Sequence, residues 1–245
     1  MAEVRIDPLS GLRVIVAPED PVLAGVEHPG ADPLESGRGD PDLFAVRPAS
    51  GAHEVIGPAD PLESLEPAQV ESAAGGWRER MRAHPDAAYL HMAVDQAGGA
   101  GRAQLFALPF VPALVARERE RFTAYALRTN GRNLLEDLVQ EEVRLRERVV
   151  AIDDQAVAFC PFASRTPFQV TIAPRKPRAR FEDDGPLGAR LLHDVLGRLA
   201  AVAGPEPALS LWIRTAPRDA EHFCWRIDVL PAVAASGGLE PGTGV

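Results

Sequence analysis

DQAGGAGRAQLFALPFVP, residues 95–112, joins a loop of small residues to an apolar run. Gly98, Gly99, Ala100, Gly101 and Ala103 contribute almost no side chain, and the run Leu105 to Leu108 is closed by Pro109. A loop stripped of side chains lets backbone come close to a ligand, above all a phosphate. Arg102 and Gln104 are the only long polar groups between Gln96 and the apolar run. Spacing alone leaves two readings open: a phosphate-facing loop, or a surface hairpin with a solvated arginine.

The rest of the composition narrows the class. A chain of 245 residues can bury a core, as one large domain or two ordinary ones. Apolar content of 46% with 25% charged residues describes a soluble globular protein. A net charge of −9 argues against a nucleic-acid or anionic-membrane surface, because either needs clustered positive charge. The opening MAEVRIDPLSG lacks the apolar core of a signal peptide. No apolar run approaches the roughly 18 residues of a membrane span. Cys160 and Cys224 give no disulfide framework and suit a reducing compartment, so the expected location is cytoplasmic. With 23 Pro and 21 Gly, the chain should be rich in loops.

Strands are predicted over 12–17, 43–47, 53–56 and 88–94, where β-branched and apolar residues lie between turn residues. Val70, Trp77 and Met81 share one face of a helix over 66–84, interrupted at Gly75-Gly76 and ended by Pro85. A second helix over 113–128 carries ARERERF on an exposed face and should bury Leu114, Phe122 and Tyr125. A third, over 133–148, starts at Asn133 as N-cap and places Leu134, Leu138 and Leu145 on one face. Strands over 149–152, 156–160 and 168–173 follow, then the basic run Arg175, Lys176, Arg178 and Arg180. That run reads as a solvated loop or as a phosphate-facing patch. A helix over 186–202 and strands over 209–214 and 223–230 complete the pattern. Cys224, beside Arg226, is either an activated thiol or a small core residue.

Several segments resemble galactose-1-phosphate uridylyltransferases of the histidine-triad superfamily. AQLFALPFVP resembles the strand that follows their catalytic loop, and CPFASRTPFQV (160–170) nearly spells out their APFASRxPFEV. RIDPLSGLRVIVAPE near the start, GAHEVI (51–56), and GGLEPGTGV at the end are similar to family segments in the same order. The resemblance implies an α+β fold of two tandem histidine-triad-like halves, each an antiparallel sheet packed with helices. The halves would be 1–112 and 133–245, with a linking helix over 113–132.

The departures carry the functional expectation. The family loop reads His-Pro-His-x-Gln, and the matching positions here are Ala100, Gly101, Arg102, Ala103 and Gln104. The glutamine is present and both histidines are absent. The family's Ala-Pro-Glu-Arg ends in Asp20, and its zinc positions appear as Gly25, His28, Pro61 and Ala100. One histidine cannot hold a tetrahedral zinc, which needs three or four ligands converging at about 2.0–2.3 Å. No cofactor is therefore expected, the family zinc being lost. A second family metal option closes at Asn133 and Glu136, leaving Glu142, which matches a metal-binding carboxylate, as a solvated helix residue. The family's His-Trp-His-Ile-Glu becomes Cys224-Trp225-Arg226-Ile227-Asp228, and His53 reads as structural. Glu240 matches a glutamate that contacts the hexose.

In the family a neutral histidine attacks the α-phosphorus and forms a nucleotidyl-enzyme. Arginine offers no nucleophilic lone pair, but it donates paired hydrogen bonds to phosphate. The substrate-binding residues expected here are thus Arg102, Gln104 and Glu240, with no catalytic residue. Three classes of function follow. One is a pseudoenzyme binding a nucleotide, nucleotide sugar or sugar phosphate in carbohydrate metabolism. The second is a transferase of nucleotidyl or phosphoryl groups with histidine-independent chemistry. The third is a structural partner of an active paralogue, in a homodimer or heterodimer as the family's dimers imply. Neither nucleic acid nor membrane is expected as a partner.

Overall fold

Ten strands and four α-helices form among the residues that the computed structural model describes, 3–16, 52–59, 61–96, 101–204 and 207–231. Strands β1 (Glu3–Ile6) and β2 (Arg13–Val16) make a small separate sheet. Its turn is fastened by the Asp7 carboxylate, which accepts from the backbone N–H of Leu9 at 3.0 Å and of Ser10 at 3.1 Å.

The main sheet contains β3 (Ala52–Ala59), β4 (Tyr89–Gln96), β5 (Gly101–Leu108), β6 (Val149–Ile152), β7 (Ala156–Phe159), β8 (Val170–Pro174), β9 (Leu209–Arg214) and β10 (Arg226–Pro231). Their order is β3-β5-β4-β9-β10-β8-β7-β6, and every neighbouring pair is antiparallel. The α+β class is as expected. The antiparallel strands before and after the linking helix join edge to edge through β4 and β9, where His91 to Gln96 run against Arg214 to Leu209. Pro58 sits at a register shift in edge strand β3, a place where its missing N–H breaks no interior ladder.

Alternation fixes the two faces of the sheet. Met92, Leu105, Leu211 and Ile227 turn to one side and are essentially solvent-free. Helix α1 (Pro67–Arg82) covers this side with Val70, Ala74, Trp77 and Met81, and α4 (Ala189–Ala203) with Leu192, Val195, Leu196 and Leu199. Gly188, which caps α4 at φ 87°, takes a conformation that strains any L side chain, and a Cβ there would also press to 3.2 Å from the Trp225 ring. Helices α2 (Ala113–Arg128) and α3 (Leu134–Leu145) bury Phe122, Leu135 and Val139 in a second cluster with Val157, Phe159 and Ala173. Asn133 is the N-cap of α3, its side-chain oxygen accepting from Leu135 and Glu136 N–H.

Four expectations change. Helix α1 runs unbroken through Gly75 and Gly76, because the buried stripe on its far face holds it and neither glycine meets another group. The small-residue loop is shorter than its composition implies: β5 begins at Gly101, and Arg102 and Gln104 belong to a strand paired on both sides. The buried stripe of α2 is Val115, Glu118, Phe122 and Ala126, with Leu114 and Tyr125 only half-buried. Helix α3 ends at Leu145, which is exposed, because Arg146 takes a left-handed conformation at φ 57°. The strand predicted over 43–47 lies outside the described residues. Among those residues no helix is long and apolar enough to cross a membrane.

Gly75→Ala and Gly76→Ala should each stabilise the protein by about 0.5–1 kcal/mol, since an added methyl meets open space and Ala loses less chain entropy. Urea unfolding measures this; destabilisation by either variant would contradict the placement of both glycines on the outer face of α1.

Candidate functional site

Ala103, Leu105 and Ala107 point into the main core, so Arg102, Gln104 and Phe106 share the second face of the sheet. The register extends this face as three rows across the strands. Arg102 lies opposite Asp95, Asp95 opposite Ser210, and Ser210 opposite Leu230. The middle row is Gln104, Ala93, Trp212, Asp228 and Thr171, and the third is Phe106, His91, Arg214 and Arg226.

At the β9–β10 end these rows hold a buried ionic network. Glu118 of α2, fully buried, receives Arg226 Nη2 at 3.0 Å and lies 3.3 Å from Arg214 Nε. Asp228 accepts from Arg226 Nε at 3.0 Å, Thr171 Oγ1 at 2.7 Å and Trp212 Nε1 at 3.2 Å. Arg165 lies over the Trp212 ring at 5.7 Å. Burial raises the Asp228 carboxyl, but Arg226, the Thr171 hydrogen bond, Arg214 and Arg165 together hold it below the usual carboxylate range. Burial lowers Arg226, and Asp228 and Glu118 more than reverse that, so it stays protonated throughout. Burial likewise pushes the Tyr89 phenol up, its hydroxyl meeting Arg214 Nη1 at 3.5 Å.

The β5 end is different. Arg102 is exposed, and its guanidinium makes no hydrogen bond or ion pair with another described residue. Across from it, Asp95 accepts from Ser210 Oγ at 2.7 Å. Gln104 Oε1 is 3.2 Å from His53 Nε2, and the His53 ring stacks on Phe106 with centroids 4.5 Å apart. A guanidinium, an amide and an exposed imidazole thus share one face of β5 and its edge neighbour β3, the last two in contact. This group can donate to a phosphate, and the imidazole can also take or give a proton.

The structure therefore brings Arg102 and Gln104 onto one face of one strand. Glu240 and Asp20 lie outside the described residues, as do the zinc-related positions Gly25, His28 and Ala100. The fourth such position, Pro61, has no ligating side chain, and its carbonyl accepts from Ser64 N–H at 2.9 Å and Ser64 Oγ at 2.7 Å. No group of three His, Cys, Asp or Glu gathers among the described residues. His53, read as structural, is an exposed partner of Gln104, and only strand pairing reveals it. Glu118 and Glu142, both read as solvated, are buried. Glu142 accepts from Arg148 at 3.0 Å. Cys224 is a core cysteine: burial pushes its thiol up to about 12, against the opposing pull of the Arg178 backbone and Arg226.

No family model matches the chain. A galactose-1-phosphate uridylyltransferase of Cryptococcus neoformans is 36% identical over 74 residues, which span 30% of this chain and 19% of that protein. Its counterpart in Haemophilus influenzae is 28% identical over 145 residues, or 54% of this chain and 41% of that protein. The chain thus matches less than half the length of these curated relatives. Among solved structures, a galt-like protein of Arabidopsis thaliana is similar with a TM-score of 0.73 at 21% identity, over 100% of this chain and 93% of that one. The fold is that of galactose-1-phosphate uridylyltransferase-like proteins. An ADP-glucose phosphorylase of the same plant, solved with ADP-glucose bound, is similar with a TM-score of 0.74 at 20% identity, over 100% and 94%. The resemblance read from AQLFALPFVP and CPFASRTPFQV accordingly holds both in sequence and in architecture.

Two predictions follow from the network. Asp228→Asn leaves Arg226 without a carboxylate on that side and should cost about 3–5 kcal/mol in chemical unfolding. Because the folded carboxyl sits below its unfolded value of about 3.9, its stabilisation is present above that pH and lost as pH falls through the folded value. Stability should therefore fall more steeply below about pH 4 in the wild type than in Asp228→Asn. For Cys224, a thiol reagent at pH 8 should leave the native residue unmodified and label it after denaturation. Rapid native labelling would restore the activated-thiol reading.

Proposed function

We propose that the chain binds a nucleotide, a nucleotide sugar or a sugar phosphate at the β5 end of the second face, holding the phosphate rather than attacking it. The observation that carries this is the exposed Arg102 guanidinium, without a partner among the described residues, on the same strand face as Gln104. Arginine remains protonated at physiological pH and presents a planar fork of donors matched to phosphate oxygens. Gln104 adds a neutral amide about 7 Å along the strand, within reach of a second phosphate or a ribose. The ADP-glucose seen in the Arabidopsis phosphorylase of the same fold supports this ligand class. Glu240 is part of the proposal as a contact to the sugar. So is the absence of the family zinc, which metal analysis of protein purified without chelator should report as substoichiometric. Two free thiols support the cytoplasmic setting.

A second reading, residual nucleotidyl transfer, rests on His53, whose exposed imidazole stands 3.2 Å from Gln104. One experiment separates the two. Ligands are first identified by thermal shift across nucleotides and nucleotide sugars. Arg102→Ala should then weaken binding by about 10- to 150-fold, equivalent to about 1.5–3 kcal/mol for a charge-assisted contact. After incubation with UDP-glucose the intact mass should be unchanged. A uridylyl adduct mapped to His53 would establish the second reading instead, and binding indifferent to Arg102→Ala would remove this strand from the site.

A further inference from the structure

The basic run after β8 belongs to a cleft far from Arg102. Arg175, Lys176 and Arg178 line a cavity of about 520 Å³ together with Glu136 and Gln140 of α3, Asp154 and Gln155 of the β6–β7 turn, and Leu187. Arg180, the fourth cation of the run, takes no part: its guanidinium donates to the carbonyls of Pro217 and Arg218 and faces Glu182.

The backbone of this cleft is fixed on both sides. Arg175 N–H donates to the Gln155 carbonyl at 2.8 Å, and the Arg178 carbonyl accepts from Trp225 N–H at 2.8 Å. Its side chains, in contrast, are largely uncommitted. Lys176 and the side chains of Glu136, Gln140, Asp154 and Gln155 make no hydrogen bond or ion pair with one another or with any other described residue. Arg175 gives one N–H to the Asp153 carbonyl at 3.3 Å, and Arg178 pairs with Asp184 at 3.2 Å while remaining half exposed. Cations and carboxylates therefore share one cavity without neutralising each other, which leaves both sets open to a ligand.

The chemistry of the lining selects that ligand. A phosphate dianion suits Lys176 and the free donors of Arg175. Glu136 and Asp154 repel a second anionic group but accept hydrogen bonds from hydroxyls, and the two glutamine amides can donate or accept. One phosphate on a body rich in hydroxyls suits the polar lining groups of both signs; a nucleoside diphosphate would place charge against a carboxylate. The volume is in the range of small-molecule sites, about 300–1,000 Å³. We propose that this cleft is a second binding site, for a sugar monophosphate of hexose size. In the sheet β8 is four strand intervals from β5, or about 19 Å, so both sites can be filled at once.

Calorimetric titration with a panel of hexose 1- and 6-phosphates, inorganic phosphate and unphosphorylated glucose tests this. A hexose monophosphate should bind the wild type, and glucose should not. Arg175→Ala/Lys176→Ala should weaken the hexose monophosphate by about 30-fold or more, two charge-assisted contacts being lost. Glu136→Gln/Asp154→Asn should weaken the hexose monophosphate and leave inorganic phosphate unaffected or tighter. Because the β5 end is itself proposed to take a sugar phosphate, each titration is repeated in an Arg102→Ala background, where the binding that remains reports this cleft. Circular dichroism and melting temperature check that the variants stay folded. No binding across the panel in the Arg102→Ala background, or binding there that survives the basic double variant, would each overturn the site. Inorganic phosphate binding as tightly as every hexose phosphate would overturn it too, because the carboxylate wall would then be idle.

Discussion

Glu118 meets two guanidinium groups at once, and the seat of the linking helix on the sheet depends on it. One carboxylate reaches Arg214 on β9 and Arg226 on β10, and Arg226 passes the pairing on to Asp228. Four formal charges are thereby buried with zero net charge. Ions taken out of water cost several kcal/mol each unless their partners are close and well directed, so helix and strands are tied to one relative placement. Sliding α2 by one turn would strand Glu118 and Arg214 in a dry interface and leave Arg226 with Asp228 alone. Packing of Val115, Phe122 and Ala126 alone would tolerate more variation than that.

The same network divides the second face of the sheet by available charge. Arg214 and Arg226 are cations, but their charge is answered by Glu118 and Asp228, and a phosphate could reach them only by displacing a carboxylate. Arg102, three strands from Arg226 in the sheet order, has no such partner among the described residues. Positive potential available to a ligand is therefore found at the β5 end, in a chain whose net charge is −9. A local cation in an acidic protein gives a directed contact and does not attract polyanions in general.

What the sequence made legible was periodic or capped. Val70, Trp77 and Met81 identify α1, Asn133 identifies the start of α3, and the strand over 209–214 is observed as read. What it concealed were charges whose partners are distant in the chain. Glu118 looks like one more residue of a charged helix face, and nothing local announces Arg226, 108 positions away. Glu142 is concealed differently: its partner Arg148 is six positions on, beyond the end of α3, so the pair follows no helix face. Glycine content misled in the opposite direction: at Gly101 strand pairing on both sides, and at Gly75-Gly76 a packed stripe, supply the order that composition seems to deny. At the candidate site, motif resemblance joined Arg102 to Gln104. His53 joins them only through the register of β3 on β5, which no one-dimensional pattern contains.

On the reading proposed for Arg102, a guanidinium stands where the resembled family carries an imidazole, and that changes how demanding the site must be. A nucleophile requires a lone pair, a matched pKa and in-line approach to phosphorus, and each can be lost to a small displacement. A phosphate clamp requires only permanent charge and a fork of donors, which arginine keeps at any physiological pH. The pairing of β5 with both β3 and β4 holds Arg102 and Gln104 in fixed succession on one face, which is enough order for a clamp. The buried ions that fix the sheet against α2 are Glu118, Arg214, Arg226 and Asp228 and not the residue at position 102, so the same architecture can carry either the proposed phosphate clamp or a nucleophile on this strand.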